Sequence, residues 1–111
     1  METTQKQEIL NDIKTLCKYE DNSYDTVINL FIDYTEKELI NKIHRVYNHS
    51  IMKHIITQMA LYKVFKNDLH SATNYGVISN DNGQMINLYI ADYPKELTKE
   101  INSLKRNVWL R

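Results

Sequence analysis

The sequence predicts a mainly α fold: a small bundle of about four helices around a long second helix, with a β-hairpin inserted between helices 3 and 4. Three observations carry this. Apolar residues recur at steps of three and four through most of residues 5–66. The only glycines are Gly76 and Gly83 and the only proline is Pro94, so nothing breaks those helices. After Asn67-Asp68 the period changes to alternation on either side of Asn80-Asp81-Asn82-Gly83, a strong turn signal because Asn-Gly readily takes the positive φ angles of tight hairpins. With 111 residues, the chain reads as one domain over 1–111. At this size roughly two-thirds of the unfolded surface can be buried, and the core needs no covalent staples.

Helix 1 is expected at about 5–18, with Ile9, Ile13, Leu16 and Cys17 on one face and Leu10 beside them. Thr4 is its candidate cap, with Gln7 three residues on in a capping-box arrangement. The polar link Tyr19 to Ser23 is short, which makes helices 1 and 2 an antiparallel pair.

Helix 2 is expected at about 23–47, with Val27, Ile28, Phe31, Ile32, Leu39, Ile40, Ile43 and Val46 on one broad stripe. Asn22 and Ser23 are candidate N-caps, because their side-chain oxygens can accept the orphan N–H groups of the first turn. Asp25 stands near the positive end of the helix dipole, and His44 and Arg45 near the negative end. Asn48 suits the left-handed position that ends the helix.

Helix 3, about 50–67 with Ser50 as cap, carries Ile51, Met52, Ile55, Ile56, Met59, Leu61, Tyr62 and Phe65. Apolar residues cover more than half of its circumference, so it should be buried on two sides, by its own domain and by a neighbouring subunit. The hairpin follows at about 74–90, with strands from Asn74 to Ser79 and from Gln84 to Ile90. A lone hairpin is marginal in water and must lie on the helices or pair with another chain. Pro94 opens helix 4, about 94–106, with Leu97, Ile101 and Leu104 facing inward. A tail, 107–111, ends the chain.

Charge and composition restrict the function classes. The 14 basic and 14 acidic residues cancel, whereas a protein whose main task is gripping nucleic acid shows a basic excess or stripe. No apolar run approaches the roughly 18 residues of a membrane span. The polar N-terminus lacks a signal-peptide apolar region, and Cys17 has no partner for a disulfide. A soluble protein kept in the cytoplasm is the expectation.

No constellation asks for an enzyme. His44, His49 and His54 are spaced by five, which on a helix separates the rings by about 140°, whereas helical zinc sites use steps of three or four. Cys17 follows an apolar stripe and reads as a small core residue. There is no glycine-rich phosphate loop and no Gly-x-Ser-x-Gly elbow. Asp21 with Asp25, and Glu36 with Glu38, read as surface charge. No cofactor or metal is therefore expected. The eight tyrosines are scattered without an interleaved basic stripe, which favours protein interfaces over base stacking. Trp109, between Val108 and Leu110, is either a lid folded back on the helices or a hot-spot anchor for a partner.

The order of these elements resembles a known family. Asp12-Ile13-Lys14-x-Leu16 is followed by Tyr19-Glu20-Asp21-Asn22 and a long acidic-then-apolar helix. Then come Tyr62-Lys63-Val64-Phe65-Lys66, a Ser/Asn/Gly-rich insert, and Tyr93-Pro94-x-Glu96-Leu97 opening a basic last helix. Over nearly the whole chain this resembles the small head–tail connector (adaptor or head-completion) proteins of long-tailed double-stranded DNA bacteriophages, sometimes called DNA-packaging proteins.

The resemblance implies a ring of about twelve copies below the portal protein, joined by heterologous contacts. The ring would extend the DNA channel and offer a platform to the tail-side stopper protein. Such a protein resides in the virion at the head–tail interface, and in the host cytoplasm during assembly. DNA would pass through without being read, which suits a channel of zero net charge. On that reading Phe31, Tyr34, Ile55, Met59 and Tyr62, with Tyr75, Ile78, Met85 and Tyr89 of the hairpin, form the subunit contact. Lys105, Arg106, Val108, Trp109 and Leu110 dock on the portal. The rival reading is a small helical DNA-binding or regulatory protein; a small enzyme subunit or inhibitor is a third, for which the sequence offers no site.

Overall fold

The computed structural model describes residues 1–67 and 93–105. They form four helices: α1 (Thr3–Cys17), α2 (Asp25–Ile43), α3 (His49–Lys66) and α4 (Lys95–Leu104). The pair α2–α3 is the centre. Both α1 and α4 pack across it, and they make no contact with each other. Ion pairs fix the register of α1 against α2: Lys6 meets Asp33 at 2.8 Å and Lys14 meets Asp25 at 3.0 Å, so the partner number falls as the first rises and the helices are antiparallel. Between α1 and α3, Glu8 meets His49 and Lys53, and Asp12 meets Lys53, so these two run parallel.

The core follows the apolar stripes. Ile9 and Ile13 of α1, Ile28, Phe31, Ile32, Leu39 and Ile43 of α2, and Ile56 and Met59 of α3 have no exposed surface. Leu97 and Ile101 close the core from α4. Two expected core residues lie elsewhere. Leu16 is 59 % exposed and Val46 is 86 % exposed, while Cys17 is half-buried beside the core. No helix among the described residues is long and apolar enough to cross a membrane.

The helix ends correct the sequence reading. In α1 the reciprocal cap is Glu2 with Gln5, whose Oε1 accepts the Glu2 N–H at 2.9 Å, and Thr4 and Gln7 lie inside the helix. In α2 the N-cap position falls on Tyr24, without a side-chain cap bond. Ser23 instead donates its N–H to Asp21 Oδ1 at 3.0 Å, a local turn that competes with capping. That helix stops at Ile43, because His44 turns left-handed at φ 57° and gives its N–H to Ile40 O at 2.9 Å.

Residues 44–48 are thus the link that reverses the chain, which is why Val46 leaves the stripe. Asn48 is extended and opens α3 rather than closing α2; its carbonyl accepts Met52 N–H at 2.8 Å. Ser50 lies within the helix, its Oγ donating to Asn48 Oδ1 at 2.8 Å. Pro94 precedes α4, with its carbonyl accepting Thr98 N–H at 2.9 Å. The expected hairpin, at about 74–90, and the tail, 107–111, lie outside the described residues.

Deletion of buried methylenes removes both transfer energy and packing. Met59→Ala is therefore expected to cost roughly 2–5 kcal/mol, and Leu16→Ala within about 0.5 kcal/mol of zero, by urea unfolding followed by circular dichroism.

Candidate functional site

The most unusual side chain is Lys63. It follows Ile56 and Met59 down the inner face of α3, at steps of three and four, and so points into the bundle; it has no exposed surface. Its Nζ donates to Tyr93 Oη at 2.7 Å and to Glu38 Oε1 at 3.2 Å. The Tyr93 hydroxyl donates onward to the same Glu38 oxygen at 2.5 Å. The rings of Tyr34 and Tyr93 lie with their centroids 5.2 and 5.1 Å from Nζ, within cation–π range.

One carboxylate, one phenol and two aromatic faces therefore replace the water that the ammonium lost. They come from α2 and from Tyr93, two residues before α4 begins. Burial pushes Lys63 below its ordinary value, opposed by the Glu38 charge and hydrogen bond, with Lys42 adding a little in the downward direction. Burial, then the Glu38 hydrogen bond and charge, hold the Tyr93 hydroxyl far above its ordinary value. Tyr93 is thus a donor at neutral pH. A desolvated lysine is the kind of group that forms Schiff bases. Lys63 has no surface through which a carbonyl could approach, so the cluster works as a clamp.

A second polar cluster joins α1 to α3. Glu8 accepts from Lys53 and from His49 Nε2 at 3.1 Å, while Lys53 also meets Asp12 at 3.2 Å. His49 Nδ1 lies 2.6 Å from Tyr47 Oη, so the ring bridges the Tyr47 hydroxyl and the Glu8 carboxylate. Lys53 and then His49 hold the Glu8 carboxyl below the usual carboxylate range. Carboxylate, imidazole and hydroxyl stand in the order of a nucleophile relay. The Tyr47 hydroxyl, however, is pushed up to about 12, by burial and by Glu36 and Glu8, which is the opposite of activation. This cluster is a cross-link between helices.

The surface offers more. Ile51, His54, Gln58, Leu61 and Phe65 recur along α3 at steps of three and four, and Ile51 and Phe65 are 45 % and 74 % exposed. His54 and Gln58 line a groove on each side of that stripe. Toward α1 the groove takes in Asp12, Thr15 and Leu16; toward α4 it takes in Leu61, Tyr62, Phe65, Pro94, Leu97, Glu96 and Glu100. At the α2–α3 corner Ile40, Val46, Tyr47, Ile51 and Met52 form a notch with His44 and Arg45 beside it.

Of the expected interface residues, Phe31, Ile55 and Met59 are interior, at 0, 6 and 0 % exposure. As folded, their side chains are spent on the protein's own core, and Ile51 and Phe65 are the large apolar residues that α3 exposes among the described residues. Tyr34 and Tyr62 are half-buried at the clamp, Tyr34 against Lys63 and Tyr62 with its ring 5.7 Å from Tyr93. Lys105 is exposed at the end of α4. Tyr75, Ile78, Met85, Tyr89, Arg106, Val108, Trp109 and Leu110 lie outside the described residues. The clamp itself had one legible signal, a lysine in register with the core positions of helix 3.

Lys63→Ala removes one partner of a buried pair and is expected to cost roughly 3–5 kcal/mol, against roughly 1–2 kcal/mol for Tyr93→Phe, by urea unfolding. The pH dependence has a defined sign. Tyr19, Tyr24, Tyr47 and Tyr93 are all raised in the fold above the ordinary value of about 10. Above that value the unfolded chain sheds phenolic protons that the folded chain keeps, so their contribution is whole below about pH 10 and is lost as pH rises toward the folded values. Lys63, lowered in the fold, has the opposite sign over the window ending at 10.5. Four tyrosines outweigh one lysine. Stability should fall above pH 10, with a shallower slope in Tyr93→Phe, as read from denaturation midpoints across pH.

Comparison with protein-family models, with curated proteins and with solved structures finds no match for this chain.

Proposed function

We propose that the chain is a structural virion protein, a head–tail connector that forms a ring of about twelve copies below the portal, extends the DNA channel and presents a platform to the tail-side stopper. The observation that carries the reading is the double use of α3. One side holds Ile56, Met59 and Lys63 in the bundle, and the other carries Ile51, Leu61 and Phe65 at the surface. A face on which Ile51 and Phe65 stand exposed beside His54, Gln58 and the half-buried Leu61 has the mixed apolar and polar character of a protein interface. The order of elements along the chain supports the same reading. The absence of net charge is compatible with DNA that slides past, since tight phosphate contacts would impede it.

In this reading the subunit contact is made by Ile51, Leu61 and Phe65 with Tyr34 and Tyr62, joined by the hairpin residues Tyr75, Ile78, Met85 and Tyr89. Lys105, Arg106, Val108, Trp109 and Leu110 dock on the portal. Assembly proceeds by burying these faces.

Mixing the protein with portal-containing heads tests the proposal. The full chain should join them, and a variant lacking residues 107–111 should stay folded and fail to join. Binding to duplex DNA with a steep salt slope, in a protein that ignores the heads, would contradict it and favour a regulator.

A further inference from the structure

We propose that the cluster of Lys63, Glu38 and Tyr93 is a registry device: it selects one placement of α4 on the α2–α3 pair and adds no net stability to the fold.

The apolar side of α4 does not by itself define a register. Leu97, Ile101 and Leu104 follow one another at steps of four and three; the first two are buried and the third is half-buried against the core. Such a pattern nearly repeats when the helix slides by one turn, about 5.4 Å. Ile101 then takes the place of Leu97, and Leu104 that of Ile101. Exchanges of leucine and isoleucine keep the volume and are well tolerated. Between α4 itself and α3, His54 and Glu100 stand 3.9 Å apart at the surface, a pair that gives little direction.

Tyr93 behaves otherwise. Its hydroxyl lies 2.7 Å from Lys63 Nζ and 2.5 Å from Glu38 Oε1. A slide of one turn would carry it about 5.4 Å away, beyond hydrogen-bond reach of both. Lys63 and Glu38 belong to α3 and α2, so they would keep each other at 3.2 Å and lose the phenol that completes their shell. A desolvated group left short of a partner is costly, and that cost falls on every register but one.

Burial sets the other half of the inference. Lys63 has no exposed surface, and the Glu38 side chain is 10 % exposed. The attraction between two such charges roughly offsets the hydration they give up, and apolar side chains packed in the same space are often as stabilising or more so. Apolar replacements would not distinguish one register from the next. The contribution of the cluster is therefore selection. It sets where α4 presents the exposed Lys105. The inference rests on the geometry of the clamp and is independent of the connector reading.

The test compares full-length chains by urea unfolding and by spectra with labelled isoleucine δ1 methyl groups, in which Ile101→Val identifies the Ile101 signal. The parent should give one such signal. Lys63→Met alone strands Glu38 and should raise the unfolding constant roughly a hundredfold or more. The triple variant Lys63→Met, Glu38→Leu, Tyr93→Phe should unfold at the parent's urea midpoint or above it. Its Ile101 signal should split or broaden, while Ile9 and Ile13 of α1, which α4 does not touch, keep theirs. Tyr93→Phe, which retains the Lys63–Glu38 pair, should split the Ile101 signal as well. A triple variant that unfolds well below the parent midpoint, or that does not fold, would make the clamp a source of net stability and overturn the inference. A single Ile101 signal in both variants would overturn it too, because the register would then be fixed without the clamp. None of these results bears on whether the protein joins portal-containing heads.

Discussion

The Lys63 ammonium is the constraint on which the arrangement of helices depends. A desolvated cation is tolerable only while Glu38 and the Tyr93 hydroxyl stay in place around it. Glu38 belongs to α2, Lys63 to α3, and Tyr93 leads into α4, so one charge fixes three elements relative to each other. The packing of Leu97 and Ile101 then has a defined register. Hydrophobic burial alone would hold a ten-residue helix in this place less specifically, because apolar contacts carry little direction.

The two polar clusters divide the labour. On the α1 side Glu8, Asp12, His49 and Lys53 are partly solvated, so their pairs contribute orientation and modest stability. On the α4 side the pair is buried and its rupture is costly. The α1–α3 ion pairs can therefore break at little cost while Ile9 and Ile13 stay in the core, whereas opening the clamp on the α4 side leaves a desolvated charge without partners.

Much of this was legible in the sequence. The four helices and the inner faces of α1, α2 and α4 follow from apolar spacing, because burial of a stripe is a local pattern with a fixed period. The doubly apolar α3 was also legible, and the surface now separates its inner residues from its outer ones. Three things were not. The break at His44 comes from the need to turn the chain, and no glycine or proline announces it. The caps at Glu2 and Asn48 are not legible, because Thr4 and Ser50, two residues further on, are equally good or better capping residue types by intrinsic preference. The clamp joins residues 25, 30 and 55 apart in sequence, for which no periodicity exists. The buried ammonium also ran against the strong expectation that lysine lies outside.

The central functional proposal is that this bundle works by joining copies of itself through the outer side of α3. The most direct measurement is native mass across a concentration series, at physiological and at low salt. A closed species of about a dozen subunits, insensitive to further concentration, is the predicted result. A discrete dimer that persists over the same range and binds duplex DNA with a salt-dependent affinity would contradict it.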